Sequence, residues 1–428
     1  MIRKFFAAFL SLSLIFAIAG CSSDGGQASS EGTVSQESSE SSQGESKSGE
    51  LYEVEMWTYL PSAETTWLCD YLNEWGAENG YHFKSTDYAL ADLNTQYTLG
   101  LGSGDLPDLG MINNCDNLRW NQVGLLADIT DKATEWGEID HFYSSSLGTT
   151  TIDDRIYGLP YNSNCLALFY NKTILDQAGV EPPATWDELE NVCKAVKDSG
   201  AAPYGLTMSM VNTDEGTFQI YPFLHMTGGT VYTMDSEESI TAVSFLADLV
   251  SNGYISSEAV NWNQADVYQQ FVQGNVAMMV NGPWQIPNFD NDAPDLEYGV
   301  VKIPTYNGTD KTVLGGEGFS IMKNADLEKL WPAMEYMFSA QTLADWNYNF
   351  GRLPTRSDSI PFYSDWENDE VMGVFFQQLN NAEIFGRDVN WAEISTAITT
   401  CVQSTVTGQM DPEAACAEAG ATISGLQG

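Results

Sequence analysis

From Leu51 onward, short apolar runs alternate with segments whose apolar residues recur every three or four positions. The runs 54–57, 81–85 and 109–112 are typical of strands, and the apolar residues of 67–75 have helical spacing. The continuous apolar run 165–170 is typical of a strand buried on both faces. This alternation predicts an α/β fold with a mostly parallel sheet, followed by a mainly helical C-terminal third.

Two segments carry the residue pattern of a capped helix N-terminus. Thr185 is followed three positions later by Glu188, and Asp235 in the same way by Glu238. In this pattern the side chain of the first residue accepts a hydrogen bond from the backbone N–H of the fourth, and the carboxylate of the fourth accepts one from the backbone N–H of the first. Both pairs therefore predict the start of a helix.

The first residues have the pattern of an export signal. Arg3 and Lys4 precede the apolar run 5–19, which is too short to favour a membrane-spanning helix. The run ends in Ile18-Ala19-Gly20-Cys21, which resembles the lipobox of bacterial lipoproteins. We therefore expect a signal peptide at 1–20 and lipidation of Cys21. An ordinary secretory signal in which Cys21 is incidental is the alternative.

Residues 21–50 contain Ser, Gly, Gln and Glu with almost no apolar residues. Such a segment cannot bury enough surface to fold, so it predicts a flexible tether behind the lipidated cysteine. The expected location is the extracellular face of the cell membrane, and a tether of this length favours a Gram-positive cell. The remaining residues, about 380, exceed what one hydrophobic core usually serves, so two lobes are expected.

Charge restricts the partners. The chain has 17 basic and 59 acidic residues, and the resulting net charge of −42 makes nucleic acid and anionic membrane surfaces implausible partners. It would also repel most anionic solutes. The cysteines beyond Cys21 are scattered without a C-x-x-C pair, which favours buried free thiols over a zinc site or a disulfide framework. They are Cys69, Cys115, Cys165, Cys193, Cys401 and Cys416.

Several motifs follow one another along the folded part. They are Pro107-Asp108-Leu109, Ile156-Tyr157-Gly158-Leu159-Pro160-Tyr161, Asn281-Gly282-Pro283-Trp284, Gly315-Gly316-Glu317-Gly318-Phe319 and Leu353-Pro354-Thr355. In this order, behind a lipobox, they resemble the extracellular solute-binding proteins of carbohydrate ABC importers, the maltose-binding type.

The resemblance implies a type II periplasmic-binding-protein fold, also called a Venus flytrap, with a hinge and a ligand between two lobes. Lobe one would comprise 51–162 with 305–357, and lobe two 163–304 with 358–428. The implied function is capture of a sugar or short oligosaccharide and delivery to a membrane ABC permease. The protein would be a monomer and not an enzyme, without cofactor or metal.

The candidate ligand-binding residues come from two arguments. Binding crevices of open α/β sheets form at the carboxyl ends of strands, which points to the loops that follow the predicted strands. Gly282 there predicts a sharp turn and Pro283 a helix start, with Trp284 at its mouth. These loops supply Thr58, Tyr59, Asn113, Asn114, Asp116 and Trp284, and the resemblance adds Phe218 and Trp391. Glu317, between glycines of one of the motifs, is a candidate polar contact or hinge residue.

Structural roles compete with these assignments. The polar loop 113–116 could instead cap the next helix, and Trp284 could pack in a core. Trp186 follows the cap Thr185 and is expected to pack within its own lobe.

Two other functions remain open. The abundant carboxylates would permit a surface glycoside hydrolase, although no pair of them is singled out. A sensory sugar-binding protein that reports to a receptor would have the same sequence features.

Overall fold

The computed structural model describes residues 51–427. The expected signal peptide, the lipidation of Cys21 and the tether lie outside the described residues. The strands are β1 (Tyr52–Thr58), β2 (Tyr81–Asp87), β3 (Leu109–Asn113), β4 (Thr151–Ile152), β5 (Arg155–Ile156), β6 (Leu159–Pro160), β7 (Ala167–Asn171), β8 (Tyr204–Thr207), β9 (Val276–Asn281), β10 (Tyr298–Val301), β11 (Thr312–Leu314), β12 (Glu317–Ile321) and β13 (Ala382–Ile384).

The helices alternate with these strands and dominate the C-terminal part. They are α1 (Ser62–Asn79), α2 (Leu90–Ser103), α3 (Asn117–Gln122), α4 (Thr130–Trp136), α5 (Ser144–Thr150), α6 (Lys172–Ala178), α7 (Trp186–Ser199), α8 (Asp214–Thr227), α9 (Glu237–Ser251), α10 (Gln264–Val272), α11 (Ile286–Asp292), α12 (Leu327–Met337), α13 (Ala340–Asn349), α14 (Met372–Leu379), α15 (Trp391–Val406) and α16 (Pro412–Gln427). Among the described residues, no helix is long and apolar enough to cross a membrane.

The first sheet has the strand order β2-β1-β3-β12-β6. Its strands β1, β2 and β3 are parallel, with Val54 opposite Phe83 and Met56 opposite Leu109. These four side chains are almost fully buried under α1, α12 and α13, so they form one hydrophobic core. The strands that the apolar runs predicted in this region are confirmed.

The second sheet has the order β10-β7-β9-β8 and a separate core. Only β8 and β9 run parallel, whereas β7 is antiparallel to both β9 and β10. In the first sheet, β12 is also antiparallel to its neighbours β3 and β6. The expectation of a mostly parallel sheet is therefore wrong. The strand β7 enters its sheet directly from β6 of the other sheet, and β12 comes from a distant part of the sequence, so neither follows a right-handed crossover helix.

The chain passes between the two sheets more than once. It leaves the first sheet after β6 at Pro160 and enters the second at Ala167. It leaves the second after β10 at Val301 and returns to the first with β12 at Glu317. Several connections of this kind are what a hinge requires, while the exact lobe limits stay a prediction.

The predicted helix starts have different outcomes. Thr185 caps α7, because its hydroxyl accepts from the Glu188 N–H at 3.2 Å. Asp235 is not a cap. Ser236 caps α9 instead, and the Asp235 side chain lies beside Gly420 of α16.

All six described cysteines are free, as expected. Five of them are buried and Cys69 is half-buried, and the Sγ atoms of Cys401 and Cys416 lie 3.7 Å apart between α15 and α16.

Candidate ligand-binding site

A cavity of about 470 Å³ receives residues from both sheets. Its lining is Tyr59, Leu60, Pro61, Leu90, Asn113, Tyr161, Asn164, Asp214, Glu215, Phe218, Asn263, Gln264, Ala265, Trp284, Gln285, Gly315, Gly316, Glu317, Arg352 and Phe385. A cleft of this size and mixed chemistry is typical of a small-molecule site.

The first sheet supplies the polar side of the cavity. Asn113 is the last residue of β3 and lies opposite Glu317, the first residue of the antiparallel β12, while Tyr59 directly follows β1. All three therefore lie at the same end of three neighbouring strands of the sheet. The Asn113 side chain also accepts from the Cys115 N–H at 3.2 Å, so the same residue caps a short 3₁₀ helix and lines the cavity.

Aromatic rings form the opposite side. Trp284 lies in the 3₁₀ turn Pro283–Gln285 that follows β9, Phe218 is in the first turns of α8, and Phe385 follows β13. The Phe218 centroid is 5.1 Å from that of Phe385 and 6.4 Å from that of Trp284. The three rings therefore make a continuous apolar wall.

Gly282 has a different role from the one that the sequence predicts. Its backbone is extended, with φ −106° and ψ 173°, so the turn needs no glycine. A Cβ at this position would lie 1.9 Å from the Trp284 ring. The absence of a side chain at Gly282 is what leaves room for Trp284.

The charge of Arg352 is held by a buried network. Its Nη2 donates to Glu64 Oε2 at 2.9 Å, and Trp346 Nε1 donates to Glu64 Oε1 at 2.8 Å. Burial alone would lower the pKa of Arg352, but the Glu64 carboxylate raises it above its ordinary value. Arg352 is thus a fixed cation at the cavity wall.

Glu317 is a carboxylate with little access to water. Desolvation raises its pKa, and the charge of Arg352 together with a hydrogen bond from Asn162 Nδ2 at 2.6 Å opposes that rise. Beside it, the buried side chain of Asn164 lines the cavity and has an Oδ1 without a hydrogen-bond partner in the described part of the chain. The site therefore offers an unused acceptor, which a hydroxyl group of a ligand could satisfy.

A second cavity, of about 540 Å³, lies between α15 and α16. Its lining consists mainly of alanine, threonine and glutamate side chains, and it touches neither sheet. It brings together no aromatic wall and no strand ends, so we regard the cavity between the sheets as the candidate site.

Residues 70–373 match the sequence model of a family described as bacterial extracellular solute-binding protein. The chain belongs to this family. The match spans most of both sheets and includes Trp284, Glu317 and Arg352, so the candidate site lies within the family region.

Relatives of this solute-binding protein include a binding protein of Brucella abortus, 24% identical over 379 residues, which covers 81% of this chain and 90% of that one. The maltodextrin-binding protein MdxE of Bacillus subtilis is 23% identical over 440 residues, which covers 98% of this chain and 96% of that one.

Among solved structures, an ABC transporter solute-binding protein of Thermotoga lettingae, bound with α-D-tagatose, has a TM-score of 0.81 at 25% identity. The match covers 88% of this chain and 100% of the Thermotoga lettingae chain. This likeness confirms the expected two-lobed periplasmic-binding-protein fold.

The structure brings five of the predicted site residues together in the lining. They are Tyr59, Asn113, Phe218, Trp284 and Glu317. Their roles toward a ligand stay a prediction.

The other four predicted site residues lie outside the lining. Thr58 is buried and donates to Asp87 Oδ1 at 2.9 Å. Asn114 lies behind Gly316. Asp116 is buried, and its Oδ1 lies 2.9 Å from Arg119 Nη2. Trp391 is buried with its ring centroid 4.7 Å from that of Phe385, so it supports the aromatic wall from behind.

Sequence reasoning missed several lining residues, most of them polar. Arg352 directly precedes the motif 353–355, and Asp214 and Glu215 open α8 one turn before Phe218, so their positions could have drawn attention. Phe385 had no such signal, because the tryptophan at 391 is the larger ring in the same region.

Proposed function

We propose that this protein captures a sugar or short oligosaccharide in the cavity between the two sheets and delivers it to a membrane ABC permease. The observation that carries the proposal is the pairing of an aromatic wall with a polar wall in one cavity. Flat rings pack against the C–H faces of a sugar, while amides and carboxylates bind its hydroxyl groups.

The relatives support a saccharide as the ligand. MdxE of Bacillus subtilis carries maltodextrin in its name, and the Thermotoga lettingae protein holds α-D-tagatose. Both are named for binding and not for catalysis, so we propose a binding protein and not an enzyme. A surface glycoside hydrolase has less support for this reason.

We further propose that two lobes, 51–162 with 305–357 and 163–304 with 358–428, close on the ligand about the strand connections. Closure would bury the sugar and create a composite surface for the permease. The protein would act as a monomer, held outside the cell by a lipid on Cys21. Recovery of the mature protein in the soluble fraction with an unmodified Cys21 would contradict the anchor.

A thermal-shift screen against neutral mono- and oligosaccharides tests the proposed ligand class. A ligand that binds only the native state raises the melting temperature, and a concentration 100 times Kd adds about 2.7 kcal/mol. We expect at least one saccharide to raise the melting temperature with saturation. If no saccharide does so while an amino acid or a peptide does, the proposal is wrong.

A further inference from the structure

The charged side chains of the cavity lining are unbalanced. Asp214, Glu215 and Glu317 are acidic, whereas Arg352 is the one basic residue among the lining residues. Arg352 is already paired with Glu64 at 2.9 Å. Arg352 also offsets part of the Glu317 charge, and Arg119 offsets part of the Asp214 charge, so the lining keeps an excess of carboxylates that is only partly neutralised.

One unpaired polar atom near Glu317, the Oδ1 of Asn164, also favours a donor. Asn164 is 6% exposed and lines the cavity, and its Oδ1 accepts no hydrogen bond. A Cβ at Gly315 would lie 2.3 Å from this Oδ1, so the atom sits beside the turn that leads to Glu317. An amide oxygen and a carboxylate are both acceptors, so Asn164 and Glu317 favour donors from the ligand, whereas Arg352 Nε, which also has no hydrogen-bond partner among the described residues, favours an acceptor.

The aromatic wall also favours a positively charged group on the ligand. Asp214 and Phe218 are separated by one turn of α8 and therefore share a face of that helix. Glu215 is held nearby, because its Oε2 accepts from the Gln264 N–H at 2.9 Å. Aromatic faces attract cations, so carboxylates and rings of this wall favour the same kind of ligand group.

We propose that the site selects a saccharide that carries a protonated amine, that is, an amino sugar, and rejects sugar acids and sugar phosphates. The inference rests on the proposed function and narrows its ligand class. An ammonium group supplies three donors and no acceptor, which matches the acceptors around Glu317. Its positive charge also offsets the excess of carboxylates over basic side chains in the lining, which a neutral sugar leaves in place.

The pKa shifts agree with this assignment. Burial raises the pKa of Glu317 and that of Asp214 above their ordinary values, so ionised carboxylates here are costly in the empty protein. A cation bound beside them lowers that cost. Close charge pairs in interfaces couple strongly enough that we expect a preference of roughly tenfold or more over the neutral sugar.

Calorimetric titration of the whole mature chain at pH 6 tests the proposal. The probes are glucosamine, galactosamine and mannosamine, each compared with its neutral parent sugar and its uronic acid, together with the β-1,4 disaccharide of glucosamine and cellobiose. We expect an amino sugar to bind about ten times more tightly than its parent, with no binding of the acid. Added salt should weaken binding of the amine and leave the neutral sugar unaffected.

Three variants, one of them a control, locate the preference. Glu317→Gln keeps the shape and removes the charge, so it should reduce the preference for the amine roughly tenfold while changing neutral-sugar affinity much less. Glu413→Gln removes an equal charge from the exposed start of α16 and should leave the preference intact. Thermal melting of each variant verifies that it is folded, and Asp214→Asn provides a second removal within the cavity.

The outcomes separate this inference from the proposed function. If a neutral sugar or a uronic acid binds as tightly as the amine, the inference is wrong and the proposed function stands. If no sugar of any charge binds, both are contradicted. A preference for the amine that survives in both Glu317→Gln and Asp214→Asn would also contradict the inference.

Discussion

At the scale of single residues, Trp186 and Trp284 have the same side chain in opposite surroundings. Trp186 is 4% exposed and stacks on Phe245 at a centroid distance of 4.1 Å, within the core of the second sheet, as the sequence predicts. Trp284 is partly exposed and lines the cavity. One tryptophan should therefore support folding and the other binding.

Replacing each tryptophan by alanine separates the two roles. Trp284→Ala removes an aromatic anchor, which typically costs about 2 kcal/mol of binding, or roughly thirtyfold in affinity. Trp186→Ala leaves a void in the core and should cost about 3–5 kcal/mol of stability with little change in the affinity of the folded fraction. Calorimetric affinity and ligand-free melting are measured for both. A Trp284→Ala protein that melts early and binds normally would show that Trp284 is a packing residue.

Asp116 gives a prediction about pH. Its burial raises the pKa to about 6, against the opposing charge of Arg119 and a hydrogen bond from Asn94. Because the folded-state pKa exceeds the unfolded one, the native state holds more protons between about pH 4 and 6. The contribution of Asp116 to stability is therefore present at low pH and lost as the pH rises through about 6.

The variant Asp116→Asn lacks this titration. The difference in stability between Asp116→Asn and the parent should shift in favour of the variant by about 2–3 kcal/mol from pH 4 to pH 7. Denaturant unfolding across this range measures the difference. A difference that stays constant with pH, or that moves against the variant, would rule out a raised pKa at Asp116.

At the scale of elements, the turn between β9 and α11 positions Trp284 through Gly282. Gly282→Ala is compatible with the observed backbone angles, but its Cβ would meet the Trp284 ring. We expect the ring to move out of place, so sugar affinity should fall about tenfold or more, with a smaller effect on melting.

Gly274 is the matched control. Its φ is +73°, and a Cβ added there would meet no atom within 4 Å, so Gly274→Ala strains only the backbone. That variant should lose about 1 kcal/mol of stability and retain full affinity. Equal affinity in Gly282→Ala and the parent would show that Gly282 does not position the tryptophan.

The elements also show what the sequence could and could not predict. Strands β1 to β3 were predictable because apolar residues alternate or run together there, and the α7 cap was predictable from Thr185. The antiparallel direction of β7 and β12 was not, because strand direction depends on how the chain passes between sheets.

The same distinction applies to the site. Residues at the carboxyl ends of β1 and β3 could be predicted from the position of the strand ends, which is why Tyr59 and Asn113 were predicted as lining residues. Phe385 and Trp391 lie six residues apart, and only packing decides that the phenylalanine faces the cavity and the tryptophan supports it. The sequence alone does not show which of these two rings faces the cavity.

At the scale of the whole molecule, the cavity belongs to two sheets that are joined by several chain connections. A ligand that contacts both sides favours the closed arrangement, because only that arrangement allows all the contacts. Small-angle scattering should therefore give a smaller radius of gyration with a saturating sugar than without it. An unchanged profile at saturation would contradict closure.

The most direct test of the account is a crystal structure of the protein with the saccharide that raises its melting temperature most. We expect the sugar between the two sheets, with a ring face against Trp284 or Phe218 and hydroxyl or amine groups near Glu317 and Asn164. Electron density for the sugar in the groove between α15 and α16, with an empty cavity between the sheets, would contradict the account.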